Sequence, residues 1–183
     1  MKFTALRHAT SVFNESGTSD KDCGLSEAGK KQAAKLSGHY DVIVCSVMKR
    51  CRETLYESAI FGDSVFNTYD CREWKKDICD FTEGEDETVV ETEEELLARV
   101  EAFKDYLRRI HNGRSVLVVS HGDFLNRLSG KTVEFKNAQM AELEIPDVVE
   151  PAVEQTVPSE PVEAPVEAPV EAPVEAPVEA SQE

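Results

Sequence analysis

Residues 115–119 read SVLVV and run directly into Ser120, His121 and Gly122. Five residues without a charge, rich in valine, are typical of a strand that is covered on both faces of a sheet. A second valine-rich run, DVIVC, spans residues 41–45 and is apolar after Asp41. Strands buried on both faces occur mainly in parallel sheets, so the two runs indicate an α/β fold.

Helical and strand-like patterns alternate around these two runs. Apolar spacing predicts further strands over residues 2–6, 64–69 and 140–145, and helices over residues 26–36 and 48–60. A third helix is predicted from a capping box that begins at Thr92, and Gly113 is suited to end it. We therefore predict a mostly parallel sheet flanked by helices on both faces, with residues 140–145 as an edge strand. In such sheets, functional sites form at the carboxyl ends of the strands.

The last part of the chain has a different composition. The motif Pro-Val-Glu-Ala begins at Pro161 and recurs every fourth residue, and residues 146–183 contain ten acidic residues and no lysine or arginine. Regular prolines prevent helix and central strand, and one valine per repeat buries too little surface to order the chain. We predict one folded domain over residues 1–145 and a disordered acidic tail over residues 146–183.

Charge and composition exclude several classes of function. The chain has a formal net charge of −16, so it has no electrostatic reason to bind nucleic acid or an anionic membrane. No apolar stretch approaches the ~20 residues of a membrane span, and the N-terminus does not resemble a signal peptide. The five cysteines contain no C-x-x-C pair, so we expect neither a zinc site nor a disulfide framework. These features favour a cytoplasmic protein.

Two histidines and two arginines follow predicted strands. Arg7 and His8 end the first strand, His121 follows SVLVV, and Arg50 follows DVIVC. If these strands are parallel, the four side chains meet at one rim of the sheet. Guanidinium groups are forked, permanent donors that suit phosphate, and a neutral imidazole can attack phosphorus. The rim is therefore a candidate site of phosphoryl transfer.

The motifs that contain these residues resemble those of the histidine phosphatase (phosphoglycerate mutase-like) superfamily. Five elements match in order: R-H-G-x-S-x-x-N at residues 7–14, D-x-x-L-[ST]-x-x-G-x-x-Q-A at residues 22–33, S-P-L-x-R-[AC]-x-x-T at residues 46–54, an acidic L-x-E element at residues 71–73, and S-H-G at residues 120–122. The resemblance runs from Lys2 to Ile145 and is absent from the tail. Three departures are Ala9 for the usual glycine, Val47 for the usual proline, and a short segment after His121.

The resemblance implies a role for each matching residue. His8 would be the nucleophile that becomes phosphohistidine, while Arg7, Arg50 and His121 would bind the phosphoryl oxygens, with Asn14 as a further contact. Glu73 would be the general acid for the leaving oxygen and then the base for the attacking water. The resemblance implies no metal and no cofactor.

The residues leave some alternatives open. Arg52 is the rival of Arg50, and Glu83, Glu85 or Glu87 could replace Glu73. We expect His39 and His111 at the surface, Trp74 as a packing residue, and Cys45 and Cys51 as small core residues.

A phosphatase is favoured over a mutase because residues 14–25 contain no tryptophan and no arginine that could hold a second phosphate. The acidic region between Cys71 and Glu95 disfavours polyphosphorylated substrates, which leaves a small phosphate monoester or a phosphoprotein as the partner. The alternatives are a phosphoglycerate mutase-type phosphotransferase and a phosphatase-like binding protein without turnover.

Overall fold

The computed structural model describes residues 1–111 and 113–146, and its centre is a five-stranded sheet. The strands are β1 (Lys2–Arg7), β2 (Ser37–Ser46), β3 (Ala59–Thr68), β4 (Val116–Ser120) and β5 (Met140–Glu144). Their order is β3-β2-β4-β1-β5, and every neighbouring pair is parallel except β1 with β5. The predicted α/β class, the mostly parallel sheet and the last edge strand are confirmed.

Five helices connect the strands: α1 (Val12–Ser16), α2 (Glu27–Ala33), α3 (Lys49–Tyr56), α4 (Glu93–His111) and α5 (Gly122–Leu128). A short 3₁₀ helix, Ile78–Asp80, lies between β3 and α4. The predicted capping box opens α4, because the Thr92 hydroxyl accepts from the Glu95 amide at 3.2 Å and the Glu95 carboxylate accepts from the Thr92 amide at 2.8 Å. Gly113 follows this helix with a φ of 77°, as expected of a C-terminal glycine.

The sheet is covered on both faces. The larger apolar cluster joins one face to α4 and α5 through side chains such as Leu96, Phe103 and Phe124. The smaller cluster joins Ile43, Leu117 and Val119 on the strands to Cys51 of α3. Residues 42–45 of β2 and 116–119 of β4 are covered on both sides, so these stretches are continuous apolar runs rather than alternating patterns. The strand β2 begins at Ser37, four residues before the predicted run, and this first part is more exposed.

The sequence-based boundaries are wrong around residue 60. The helix predicted over residues 48–60 ends at Tyr56, and β3 begins at Ala59, five residues before the predicted start of a strand. Ile60 has helical spacing from Tyr56, but it is buried within β3, where Ala59 pairs with Ser37 of β2. Long-range pairing therefore overrides the local pattern. The short helices α1 and α5 were not predicted.

The topology places the ends of β1, β2 and β4 side by side. Arg7 is in register with Ser120, and the His8 amide donates to the Ser120 carbonyl at 2.9 Å. No helix of the described residues is long and apolar enough to cross a membrane. The tail predicted over residues 146–183 lies outside the described residues except for Pro146, so the division into domain and tail stays a prediction.

Candidate active site

A cavity of about 170 Å³ lies at the carboxyl ends of the strands. Five of the six predicted site residues line it: Arg7, His8, Asn14, Arg50 and Glu73. The sixth, His121, packs edge-on against His8 with 5.1 Å between the ring centroids. The structure thus brings all six residues together, and their roles remain predictions.

His8 is buried, and one of its ring nitrogens is fixed. Nδ1 lies 2.7 Å from the carbonyl oxygen of Ala9, which can only accept a hydrogen bond. Burial lowers the pKa of His8 well below its usual value, and the positive charges of Arg50 and Arg7 lower it further. The ring is therefore neutral at pH 7 with its proton on Nδ1, which leaves the lone pair of Nε2 available to attack an electrophile.

His121 is fully buried, and both of its ring nitrogens are hydrogen-bonded. Nδ1 accepts from Nε of Arg50 at 3.2 Å, and Nε2 lies 2.8 Å from the Ser46 hydroxyl. A guanidinium can only donate, so the neutral tautomer carries its proton on Nε2 and donates to Ser46. Burial and Arg50 hold the pKa of His121 well below its usual value. His121 thereby orients Arg50 through a hydrogen bond and the ring of His8 through packing.

Arg50 lies on α3, is buried, and uses three of its five N–H donors within the protein. Besides the bond to His121, Nη1 donates to the Cys79 carbonyl at 2.7 Å and Nη2 to Oδ1 of Asp80 at 2.8 Å. Burial alone would lower the pKa of Arg50, but Asp80 and other nearby groups raise it above the usual value. The other two N–H donors have no hydrogen-bond partner among residues 1–111 and 113–146, so they are available for a ligand.

Arg7, unlike Arg50, is not paired with a carboxylate of the described residues. Nη1 donates to the Phe135 carbonyl at 2.7 Å, whereas Nε is buried and has no hydrogen-bond partner among residues 1–111 and 113–146. No carboxylate in these ranges lies within 4.0 Å of its guanidinium. A buried donor without a partner costs about 1–3 kcal/mol, so this arginine is suited to an anionic ligand. Gly122 makes room for it, because a Cβ there would lie 3.1 Å from Cζ of Arg7.

Glu73 lies in the cavity at the N-terminus of α5. Its Oε1 accepts from the amides of Trp74 and Phe124 at 3.0 and 3.1 Å, and its Oε2 accepts from the amide of Asp123 at 3.3 Å. Burial raises the pKa of Glu73 and Asp80 raises it further, while Arg50 and the Trp74 amide act in the opposite direction. A raised pKa is what a carboxyl group needs to act as a general acid near neutral pH.

The rival residues have other partners. Glu85 binds Arg72 through two hydrogen bonds of 2.8 and 3.0 Å, and this interaction lowers the pKa of Glu85 to about 2. Glu87 pairs with Lys21 at 2.8 Å, and Arg52 is exposed on the outer face of α3. None of these three side chains lines the cavity that contains His8, and neither does Glu83.

Several residues outside the predicted set position His8 and its loop. Asn137 donates from Nδ2 to the carbonyl of His8 at 3.1 Å and to Oδ1 of Asn14 at 3.0 Å. Thr54 accepts from the Ala9 amide at 3.0 Å, and Gln32 accepts from the Thr10 amide at 3.0 Å. Thr54 and Gln32 belong to matched motifs, but the sequence gives no signal for the role of Asn137.

Comparison with protein families assigns most of the chain to a known family. A model of the histidine phosphatase superfamily (branch 1) matches residues 3–75 and 66–150, which is most of the chain. A comparison with curated proteins gives no significant match.

Solved structures with the same fold include three from bacteria. The alpha-ribazole phosphatase of Shigella flexneri is 18% identical, with a TM-score of 0.63 over 80% of this chain and 91% of that one. An open reading frame product of Mycobacterium tuberculosis is 16% identical, with a TM-score of 0.60 over 79% and 91%. A mycobacterial glucosyl-3-phosphoglycerate phosphatase in complex with VO3 is 20% identical, with a TM-score of 0.57 over 78% and 90%. At these identities the likeness concerns the fold.

Proposed function

This chain belongs to the histidine phosphatase superfamily, and we propose on that basis that it hydrolyses phosphate monoesters through a phosphohistidine intermediate on His8. The observation that carries the proposal is the state of His8. Its Nδ1 is held by the Ala9 carbonyl, its pKa is lowered by burial, and it lines a cavity with two arginines. A neutral imidazole beside fixed positive charges is the arrangement that nucleophilic attack on a phosphate ester requires.

In the first step, Nε2 of His8 attacks phosphorus while the bond between phosphorus and the ester oxygen breaks. Glu73, whose pKa is raised by burial, acts as the general acid and donates a proton to the departing oxygen. The products of this step are an alcohol and phosphohistidine. Arg7 and Arg50 bind the equatorial oxygens, where charge must be stabilised during transfer.

In the second step, the Glu73 carboxylate accepts a proton from water as the water oxygen attacks phosphorus. The bond between phosphorus and Nε2 breaks, inorganic phosphate leaves, and both His8 and Glu73 return to their starting states. The three amides around Glu73 keep its carboxyl group in place through both proton transfers. Asn14 and His121 complete the binding site, and the residues require no metal for either step.

The substrate class follows from the size and charge of the cavity. A volume of about 170 Å³ accommodates a phosphoryl group and only part of its ester substituent. Three carboxylates, Asp77, Asp80 and Asp123, share this cavity with the basic residues and disfavour a second phosphate on the substrate. We expect a small phosphate monoester, by analogy with the two phosphatases of similar fold, in a cytoplasmic setting.

The test is hydrolysis of p-nitrophenyl phosphate with and without excess EDTA. We expect turnover that EDTA leaves unchanged, loss of turnover in His8→Ala, and acid-labile phosphate on the wild-type chain after rapid quenching. His39→Ala is the matched control, because this exposed histidine pairs only with Asp63 in the described structure. Wild-type turnover in His8→Ala, together with inhibition by EDTA, would show that the mechanism is wrong.

One observation favours the alternative of a phosphatase-like binding protein. Arg50 is engaged by a buried carboxylate, and both nitrogens of His121 are occupied. A protein of this kind would bind inorganic phosphate without hydrolysing p-nitrophenyl phosphate, so the same assay separates the two functions.

A further inference from the structure

Asp80 lies outside the family motifs but contacts Arg50 in the proposed active site. Its side chain is 3% exposed, as is that of Arg50, and Oδ1 lies 2.8 Å from Nη2 of this arginine. The other carboxylate oxygen accepts from the amide of Asp77 at 3.0 Å, which closes the 3₁₀ helix Ile78–Asp80. Asp80 is thus fixed at both oxygens, with its negative charge directed at Arg50.

The charges around the cavity show what this contact does. Of the three basic side chains that line it, Lys76 pairs with Asp123 at 2.6 Å and Arg50 pairs with Asp80. Arg7 alone has no carboxylate within 4.0 Å among the described residues that line the cavity. An arriving phosphate therefore finds one guanidinium without a directly paired carboxylate instead of two, and the more distant Glu73 and Asp123 act on the charge of Arg7.

We propose that Asp80 is an internal anion that competes with the phosphoryl group for Arg50 and thereby sets the affinity of the site for phosphate esters and inorganic phosphate. This inference rests on the proposed function. In the empty site Asp80 stabilises a buried arginine, whose isolated charge would be costly. When phosphate binds to the two remaining N–H groups of Arg50, Nη2 turns towards the phosphoryl oxygen and releases the carboxylate oxygen of Asp80. When inorganic phosphate leaves, Asp80 returns and favours its release.

Two roles of Asp80 predict changes of opposite sign. If Asp80 only positioned Arg50 for catalysis, removing its charge would weaken phosphate binding. If Asp80 competes with phosphate, removing its charge strengthens phosphate binding while the free protein becomes less stable. The sign of the change in affinity therefore separates the two roles.

The experiment is isothermal titration of the full chain with inorganic phosphate. We expect the dissociation constant to decrease about tenfold in Asp80→Asn, which corresponds to about 1.4 kcal/mol. Asp80→Glu keeps the charge, so its dissociation constant should not show this decrease. Glu85→Gln is the control for the loss of a nearby negative charge. Glu85 pairs with Arg72 and does not contact Arg50. Arg72 also donates to the Asp80 carbonyl, so this variant changes the surroundings of Asp80 without removing its charge. Unchanged or weaker binding in Asp80→Asn overturns the proposal.

A measurement on the wild type covers the case in which the variant does not fold. In a crystal structure with orthovanadate, we expect Arg50 to contact the vanadate and its distance to Asp80 to exceed 4 Å, the limit of an ion pair. An Arg50–Asp80 contact that persists in the complex overturns the proposal but leaves the proposed function in place. Absence of both phosphate binding and p-nitrophenyl phosphate hydrolysis in the wild type overturns both.

Discussion

Burial acts in opposite directions on the two groups that we propose to react. It lowers the pKa of His8, because the imidazolium is the charged form, and it raises the pKa of Glu73, because the carboxylate is the charged form. Both shifts favour the neutral form that the first step requires. A single property of the site, its exclusion of water, therefore prepares the nucleophile and the acid together.

The first prediction at this scale is a pH profile. The value of kcat/KM should decrease at low pH as His8 becomes protonated, at a pH well below 6.5, and decrease at high pH as Glu73 loses its proton, above 4.5. We therefore expect a maximum on the acid side of neutrality, measured with an alkyl phosphate and corrected for titration of the substrate. In Glu73→Gln the alkaline decrease should disappear. Activity that rises steadily to pH 9 would contradict these assignments.

The second prediction concerns the leaving group. Glu73→Gln should lower kcat for an alkyl phosphate by about 10²–10⁴-fold, the usual contribution of a general acid. It should lower kcat for p-nitrophenyl phosphate much less, because p-nitrophenolate departs without a proton. The glutamine can still accept from the amides of Trp74 and Phe124, so the loop should remain in place. Equal losses for the two esters would instead indicate a structural role.

The sequence predicts some of these residues much better than others. Arg7, His8 and His121 follow strand ends and belong to motifs, so their meeting could be predicted from the parallel topology. Asp80 and Asn137 act through contacts between distant parts of the chain. Asp80 contacts Arg50, which is 30 residues away in the sequence, and Asn137 contacts His8, which is 129 residues away. Such contacts have no local pattern, which is why they are visible only in the folded protein.

At the scale of elements, the reactive loop after β1 depends on how closely α2 approaches it. A Cβ built on Gly29 would lie 1.9 Å from the carbonyl oxygen of Thr10, two residues after His8. The glycine is needed there for space, and its backbone amide donates to the Ser26 hydroxyl at the start of α2. The helix therefore supports the loop that presents His8.

This contact leads to the third prediction. Gly29→Ala should push the loop away from α2, lower the free energy of unfolding by about 1–3 kcal/mol, and lower kcat as well. Gly38→Ala is the matched control, because the added methyl would meet only the end of the Tyr40 ring, at 3.1 Å. Thermal unfolding and steady-state assays of both variants provide the measurement. A loss of stability with an unchanged kcat would show that α2 does not control the loop.

The elements that could be predicted from sequence are those with a strong period. The strands β1, β4 and β5 and the helix α4 agree with their predicted ranges to within two residues. The boundary between α3 and β3 was wrong because Ile60 fits both a helical spacing and a buried strand position. The helices α1 and α5 have five and seven residues and span two turns at most, which leaves little apolar spacing to recognise. The helix predicted over residues 26–36 is also shorter than expected, since α2 spans Glu27–Ala33.

At the scale of the whole molecule, the residues of the site follow several different strands of the sheet. His8 follows β1, Arg50 follows β2, His121 follows β4, and Asp80 lies in the long connection between β3 and α4. The last strand, β5, is an edge strand beside β1. At its end, the N-terminal amine of Met1 donates to the Ile145 carbonyl at 2.6 Å, and the Ile145 amide donates to the Met1 carbonyl at 2.9 Å. Ile145 is 1% exposed, so the domain requires the chain through this residue.

The final prediction is that the chain after Pro146 is dispensable for folding and turnover. Burying one valine of a Pro-Val-Glu-Ala repeat would contribute about 1.5–3 kcal/mol, whereas ordering its four residues would cost about 4–8 kcal/mol. The acidic side chains of the repeats also repel one another and the net negative domain. Residues 1–146 should therefore keep the melting temperature of the full chain to within a few degrees, and its kcat. A chain that ends at Glu144 is the control, because it lacks the buried Ile145 and should melt at a lower temperature. Lower activity or stability of residues 1–146 would show that the tail contributes to the domain.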